Sequence, residues 1–137
     1  MSCLFNSVFS LLNDVFNKAG INNLRYFLIF YIKNHFDEKI DESMTIKEWC
    51  SLASIEKFGE DNIDKYLKIM NNDSTWGGGF EIAILSYVFR LKINIVQKDK
   101  TIVTFNNCVD KKPFYDIYLD YNGSHYEPLK IKKLIYN

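Results

Sequence analysis

Phe80-Glu81-Ile82-Ala83-Ile84-Leu85-Ser86-Tyr87-Val88-Phe89-Arg90, followed by Leu91-Lys92-Ile93-Asn94-Ile95-Val96-Gln97, is where the chain changes its period. Up to Arg90 the apolar residues Ile84, Leu85, Val88 and Phe89 recur at helical steps. From Ile93 to Gln97 apolar and polar residues alternate, as on a strand with one buried face. Helical patterns lie before this junction and strand patterns after it. That order implies an α+β domain, with N-terminal helices packed on a small, mainly antiparallel sheet formed by the C-terminal half.

Working outward toward the N-terminus, the turn formers Asn71-Asn72-Asp73-Ser74-Thr75 and then Trp76-Gly77-Gly78-Gly79 interrupt the helical pattern. Before them, a helix is read over Glu60–Met70 and a short one over Thr45–Ala53. Asp37–Ser43 is a charged turn, and a further helix covers about Asn22–Asn34. The first helix is read over Cys3–Lys18, where Leu4, Phe5, Val8, Leu11, Leu12, Val15 and Phe16 form one stripe and Gly20 follows as a stop. Working outward the other way, strands are read over Ile102–Phe105, Tyr115–Tyr121 and Ser124–Leu129. Asn122-Gly123 suits a two-residue hairpin turn, and Pro128 should stop strand pairing.

The totals narrow the function classes. With 137 residues, 47% of them hydrophobic, the chain suits one domain, residues 1–137, with one core. Seventeen basic residues balance seventeen acidic ones, so binding to nucleic acid by charge alone is disfavoured. All the basic residues except Arg25 and Arg90 are Lys. The longest apolar stretch, Tyr26–Ile32, is far too short to span a bilayer. Three cysteines, Cys3, Cys50 and Cys108, fit neither a disulfide framework nor a paired zinc motif. The reading is therefore a cytoplasmic, intracellular protein in a reducing compartment.

The chemistry-bearing residues lie at the two ends. Cys3 opens the first helix, where unpaired N–H groups and the positive dipole end favour a thiolate. A cysteine nucleophile needs a base and a group to orient that base, and His125-Tyr126-Glu127 offers both. On a strand His125 and Glu127 project to one face and Tyr126 to the other, so a carboxylate can hold the imidazole. Other groups have plainer readings. His35 sits at a helix end, where it meets the last carbonyls. Cys50 and Cys108 read as structural. Phe80 and Glu81 stand where a phosphate loop would need Lys and Ser or Thr, which excludes nucleotide binding. The glycines of Trp76-Gly77-Gly78-Gly79 read as close backbone approach where helix meets sheet, with Trp76 packed nearby. Lys130, Lys132 and Lys133 read as a solvated end.

Three blocks in order, Cys3-Leu4-Phe5-Asn6-Ser7, Trp76-Gly77-Gly78 with Glu81 and Ala83-Ile84-Leu85-Ser86, and His125-Tyr126-Glu127-Pro128-Leu129, resemble the signature of the ovarian-tumour (OTU) cysteine proteases. Tyr66–Met70 is similar to the helix that usually precedes the family's Trp-Gly-Gly turn, so the resemblance covers nearly the whole chain. It implies a papain-like fold and hydrolysis after the C-terminal glycine of ubiquitin or a ubiquitin-like modifier. Cys3 would be the nucleophile, His125 the general base and Glu127 its orienting group. The backbone N–H groups of Ser2 and Cys3 would form the oxyanion hole, with Trp76, Gly77 and Gly78 lining the substrate cleft. The implied partner is ubiquitin or a relative of it, bound by a monomer, with no metal or organic cofactor, no nucleic acid and no membrane.

The chain departs from the family pattern in two places. The family usually has Asp-Gly-x-Cys, and here only Met1 and Ser2 precede Cys3. The loop completing the oxyanion hole is either trimmed or dispensed with. Glu127 stands where many members carry Asp or Asn. Two other readings follow: a ubiquitin-binding module with a degenerate site, and a viral-type protease that processes its own polyprotein, acting in a host cytoplasm.

Overall fold

The computed structural model describes residues 3–136, and for Cys3 the backbone alone. Among them, six helices precede four strands. The first is α1, Cys3–Leu11, followed after Leu12 by α2, Asn13–Lys18. The sequence reading had these as one helix. The apolar stripe runs unbroken across the junction, but Leu12 leaves helical geometry (φ −119°, ψ 27°) and Asn13 and Asp14 open a new turn. Next come α3, Leu24–Asn34, and α4, Ile46–Phe58. α4 starts with a capping box in which the Thr45 hydroxyl accepts from Glu48 N and the Glu48 carboxylate accepts from Thr45 N, both at 3.1 Å. It continues five residues beyond the expected end at Ala53 and stops at Gly59. α5, Ile63–Met70, is capped by Asn62, and α6 spans Gly79–Phe89.

The strands are β1, Leu91–Val96, β2, Ile102–Phe105, β3, Tyr115–Tyr121, and β4, Tyr126–Lys133. The sheet order is β2-β1-β3-β4. Both edge pairings are antiparallel, as expected, while the central pair, β1 with β3, is parallel. This makes the sheet mixed. The 106–114 connection carries the chain from the end of β2 back past β1 with no helix in it. It is held where Asn107 N donates to the Ser86 hydroxyl (2.8 Å) and Phe114 N to Arg90 O (2.7 Å).

Pro128 does not end the last strand. β4 runs through it to Lys133, because a register shift between Tyr118 and Leu119 sets Pro128 opposite Leu119 and Lys130 opposite Tyr118. A proline is tolerated at a bulge of an edge strand, where its missing N–H breaks no further ladder bond.

α1 packs on β3 and β4, and α6 packs on β1 and β2. Between them lies the core: Leu4, Val8, Phe16, Leu28, Ile84, Leu85, Ile93, Ile117 and Leu119 are all essentially inaccessible. The α+β reading, helices before sheet, therefore holds. Among the described residues no helix is long and apolar enough to cross a membrane.

Candidate active site

α1 brings its first turn against the 71–78 loop that joins α5 to α6. Leu4 and Phe5 are buried there, and Gly77 lies directly on them. A β-carbon built on Gly77 would stand 2.6 Å from Leu4 Cδ2 and 3.2 Å from Phe5 Cε2, so any larger residue would have to push these buried side chains aside. The close approach expected of these glycines is thus made to a helix and not to the sheet. Trp76 lies beside Gly77 and Leu4 at the cleft and stands 59% exposed, as a wall.

Two buried charged side chains lie behind that wall. Arg25, on α3, donates from Nη1 to Met70 O (2.6 Å) and from Nη2 to Thr75 O (2.5 Å), and its guanidinium lies 4.5 Å over the Phe5 ring. Its Nε finds no hydrogen-bond partner among the described residues. Glu81, on α6, accepts from Gly78 N at Oε1 (2.7 Å) and from the Tyr66 hydroxyl at Oε2 (2.5 Å). Burial pushes the Glu81 carboxyl above its ordinary range, opposed by those two hydrogen bonds and by the charge of Arg25.

The opposite wall is the β3–β4 connection. It is a four-residue loop, Asn122–His125, and not the two-residue turn expected from Asn122-Gly123: Tyr121 pairs with Tyr126, and Asn122 N donates to His125 O. Gly123 does adopt the positive φ foreseen for it, 101°. The Asn122 side chain shapes the loop, its Oδ1 accepting from Ser124 N (3.0 Å), Ser124 Oγ (3.1 Å) and His125 N (2.8 Å). Tyr121 and Tyr126 stack at 4.4 Å on the inner side, where burial pushes the Tyr126 phenol up to about 12.

The two walls are joined by one bond. The Ser7 hydroxyl of α1 donates to Tyr126 O of β4 at 3.1 Å. Cys3 begins α1 one turn before Ser7, and His125 immediately precedes Tyr126. A narrow cleft results, lined by Leu4, Trp76, Gly77, Tyr121, Ser124 and Tyr126. On the far side of Trp76 a larger groove of about 550 Å³ runs between α4 and α6, past Trp49, Leu52, Phe80 and Phe105.

Each site residue named from sequence can now be placed. Ser2 and the Cys3 side chain lie outside the described residues. The Cys3 backbone is the first residue of α1, as read. His125 ends the loop, one residue before β4, and is exposed; Glu127 is the second residue of β4, opposite Asp120, and also exposed. The half-buried Tyr126 between them faces the other way. Trp76 and Gly77 line the cleft, and Gly78 is the N-cap of α6.

His35 lies elsewhere, its Nδ1 donating to Tyr31 O (2.7 Å), the helix-end role read for it. Cys50 is inaccessible, and burial, reinforced by the charges of Glu81 and Asp61, pushes its thiol up to about 12; burial also raises Cys108. Neither is set up as a nucleophile. Among the described residues no three His, Cys, Asp or Glu side chains are placed to hold a metal ion.

Sequence reasoning missed Ser7, Arg25, Tyr66 and Asn122 as parts of the site. Only Arg25 carried a usable signal, as a charge set in the apolar face of α3.

Residues 2–126 match the family described as "OTU-like cysteine protease". The "Deubiquitinase OTUD6B" of Gallus gallus is 26% identical over 132 residues, covering 94% of this chain and 42% of that protein. The "OTU domain-containing protein 2" of Saccharomyces cerevisiae is 27% identical, covering 93% and 41%. The "Ubiquitin thioesterase OTU1" of Drosophila pseudoobscura pseudoobscura is 27% identical, covering 93% and 31%. The chain thus spans less than half the length of these relatives. Among solved structures, one described as "Structure of Ovarian Tumor (OTU) domain in complex with Ubiquitin" superposes with a TM-score of 0.58 at 22% identity, over 98% of this chain and 68% of the other. That likeness is one of fold.

Proposed function

We propose, because this chain belongs to the family of OTU-like cysteine proteases, that it hydrolyses the peptide or isopeptide bond after the C-terminal glycine of ubiquitin or a ubiquitin-like modifier. The observation that carries this reading is the Ser7–Tyr126 bond. It ties α1, one turn after its start, to the residue that follows His125, and with Gly77 resting on Leu4 and Phe5 it brings segments scattered along the sequence to one cleft. The names of the relatives, and ubiquitin bound to the structural neighbour, support the choice of substrate.

In this mechanism the Cys3 thiol, at the positive end of α1, gives its proton to His125, and the thiolate attacks the glycine carbonyl carbon. The tetrahedral oxyanion is met by the backbone N–H groups of Ser2 and Cys3, a contribution commonly worth ~3 kcal/mol. Protonated His125 gives its proton to the departing amine as the thioester forms. Water, deprotonated by His125, then releases the modifier. Glu127 stabilises the imidazolium. The narrow cleft between Leu4, Trp76 and Tyr126 suits a tail without side chains, which is what a terminal glycine presents. A cytoplasmic setting belongs to the same proposal, and the free thiols of Cys50 and Cys108 suit it.

The test is reaction with ubiquitin carrying a C-terminal electrophile, read by intact mass on the wild type and on Cys3→Ala. A covalent adduct on the wild type alone is the expected result. Absence of an adduct in folded wild-type protein would move the binding-module reading ahead, and an adduct on Cys3→Ala would remove Cys3 as the nucleophile.

A further inference from the structure

We propose that Arg25 and Glu81 are positioning residues: two buried side chains that hold Trp76-Gly77, the wall of the cleft, against the first turn of α1. Their effect on turnover rests on the protease reading above; the placement itself does not. The first half of the 71–78 loop is also closed by local bonds, the Thr75 hydroxyl donating to Ile69 O (2.8 Å) and Asn72 Oδ1 accepting from Ser74 N (2.9 Å), but these lie before Trp76 and Gly77. Residues 71–74 are exposed turn formers and Trp76 stands in solvent, so the loop is not anchored through buried side chains of its own.

The hydrogen bonds fall on either side of the two wall residues. Arg25 grips Thr75 O immediately before Trp76, and Met70 O where the loop begins. Glu81 grips Gly78 N immediately after Gly77. Trp76-Gly77 is the short span left between two fixed points.

Arg25 also reaches the other partner in the contact. Its guanidinium lies over the Phe5 ring, and Phe5 belongs to the turn on which Gly77 rests. One side chain therefore sets both the loop and the helix that opens with Cys3. Glu81 is fixed in turn by the Tyr66 hydroxyl on α5. Arg25 is 3% exposed and Glu81 1%. Burying two charged groups, one with an Nε that has no partner among the described residues, is a costly way to stabilise a core that apolar residues would fill as well. Their geometry is what an apolar pair could not reproduce, since only polar atoms can hold a backbone carbonyl and a backbone N–H in register. A wall displaced by about 1 Å from productive geometry can cost about 100-fold in rate.

Trp76 supplies a direct readout. The chain has two tryptophans, so Trp49→Phe leaves Trp76 as the sole reporter. In that parent, Glu81→Gln, Arg25→Lys and Tyr66→Phe are compared by Trp76 emission and acrylamide quenching, by thermal unfolding, and by kcat and KM on ubiquitin with a fluorogenic C-terminal amide. Tyr66→Phe removes one hydroxyl and keeps the ring, which secures a folded variant should the charge changes unfold the chain.

The expected result, well below the unfolding temperature, is a shifted emission and altered quenching of Trp76, with kcat down about 10- to 100-fold for Glu81→Gln and Arg25→Lys. KM should change less than kcat, and Tyr66→Phe should move every readout the same way by a smaller amount. A folded variant with lowered unfolding temperature but unchanged Trp76 signal would overturn the proposal, whatever its kcat, because the role would then be structural or act by another route. A shifted Trp76 signal with unchanged kcat would overturn the role in turnover. If the wild type hydrolyses nothing, the Trp76 readout still decides the placement, and only the protease reading fails.

Discussion

On one side of the cleft Gly77 presses on Leu4 and Phe5, and the loop behind it is tied to the buried Arg25 and Glu81. On the other, His125 ends an exposed four-residue loop shaped by the Asn122 carboxamide, with the Tyr121 hydroxyl donating to Gly123 O (2.9 Å). The first wall is tied into the core through Gly77, Arg25 and Glu81, so disturbing those contacts costs folding free energy. The second is a surface element held by local hydrogen bonds, so disturbing it should cost geometry and little stability. The difference teaches that the two walls are secured by separate means in this fold, and can be damaged separately.

The contrast is most directly broken at the core wall. Leu4→Ala should destabilise the protein by about 2–5 kcal/mol, as buried leucine truncations do. Gly77→Ala alone should cost about 1–3 kcal/mol through overpacking, since its new methyl meets Leu4 Cδ2. In the Leu4→Ala background the same methyl enters vacated space, so Gly77→Ala should cost clearly less there. Urea unfolding of all four chains measures this coupling; strictly additive losses would show that the two residues are not in the contact described.

The surface wall should answer differently. Asn122→Ala should change stability by about 1 kcal/mol or less, yet lower kcat about tenfold, because His125 loses the acceptor that fixes its backbone. Asn122→Asp keeps an acceptor at Oδ1 and should recover most of the loss. A drop in stability matching the loss of activity would place this loop with the core after all.

The bond joining the two walls should also answer with a small effect. Ser7→Ala removes a hydroxyl donating to Tyr126 O and should cost about 0.5–1.5 kcal/mol, seen in the urea midpoint. Coupling between Ser7→Ala and Asn122→Ala in kcat would show that the surface wall is steered from α1. Their independence would sharpen the separation.

How far the sequence revealed all this follows the same division. Elements built on period and end signals were legible: α3, α6, β2, β3 and the order of helices before strands. Features set by tertiary balance were not. The apolar stripe through Leu12 hid the break between α1 and α2, because both helices bury one face. Nothing local marks β1 and β3 as parallel neighbours, since that pairing depends on how the 106–114 connection crosses the end of the sheet. Pro128 read as a stop because its lost donor was counted without the bulge that absorbs it. At the site, Cys3, Trp76-Gly77-Gly78 and His125 were found as a pattern. Glu81 was seen as part of a signature block and Arg25 stood out as a charge in an apolar face, but what they hold stayed hidden, because they act through backbone atoms of other residues. Asn122 was seen as a turn former, and what it shapes became visible only in the four-residue loop.

The Ser7–Tyr126 bond links residues 119 positions apart. A contact of that span is slow to form, because the entropy of closing so long a loop is lost before the contact can offset it. During synthesis the helix opening with Cys3 leaves the ribosome long before the strand it must meet. Until β4 follows, the two walls of the cleft stay unjoined, and on the proposed mechanism Cys3 and His125 can act together only after this late contact has formed.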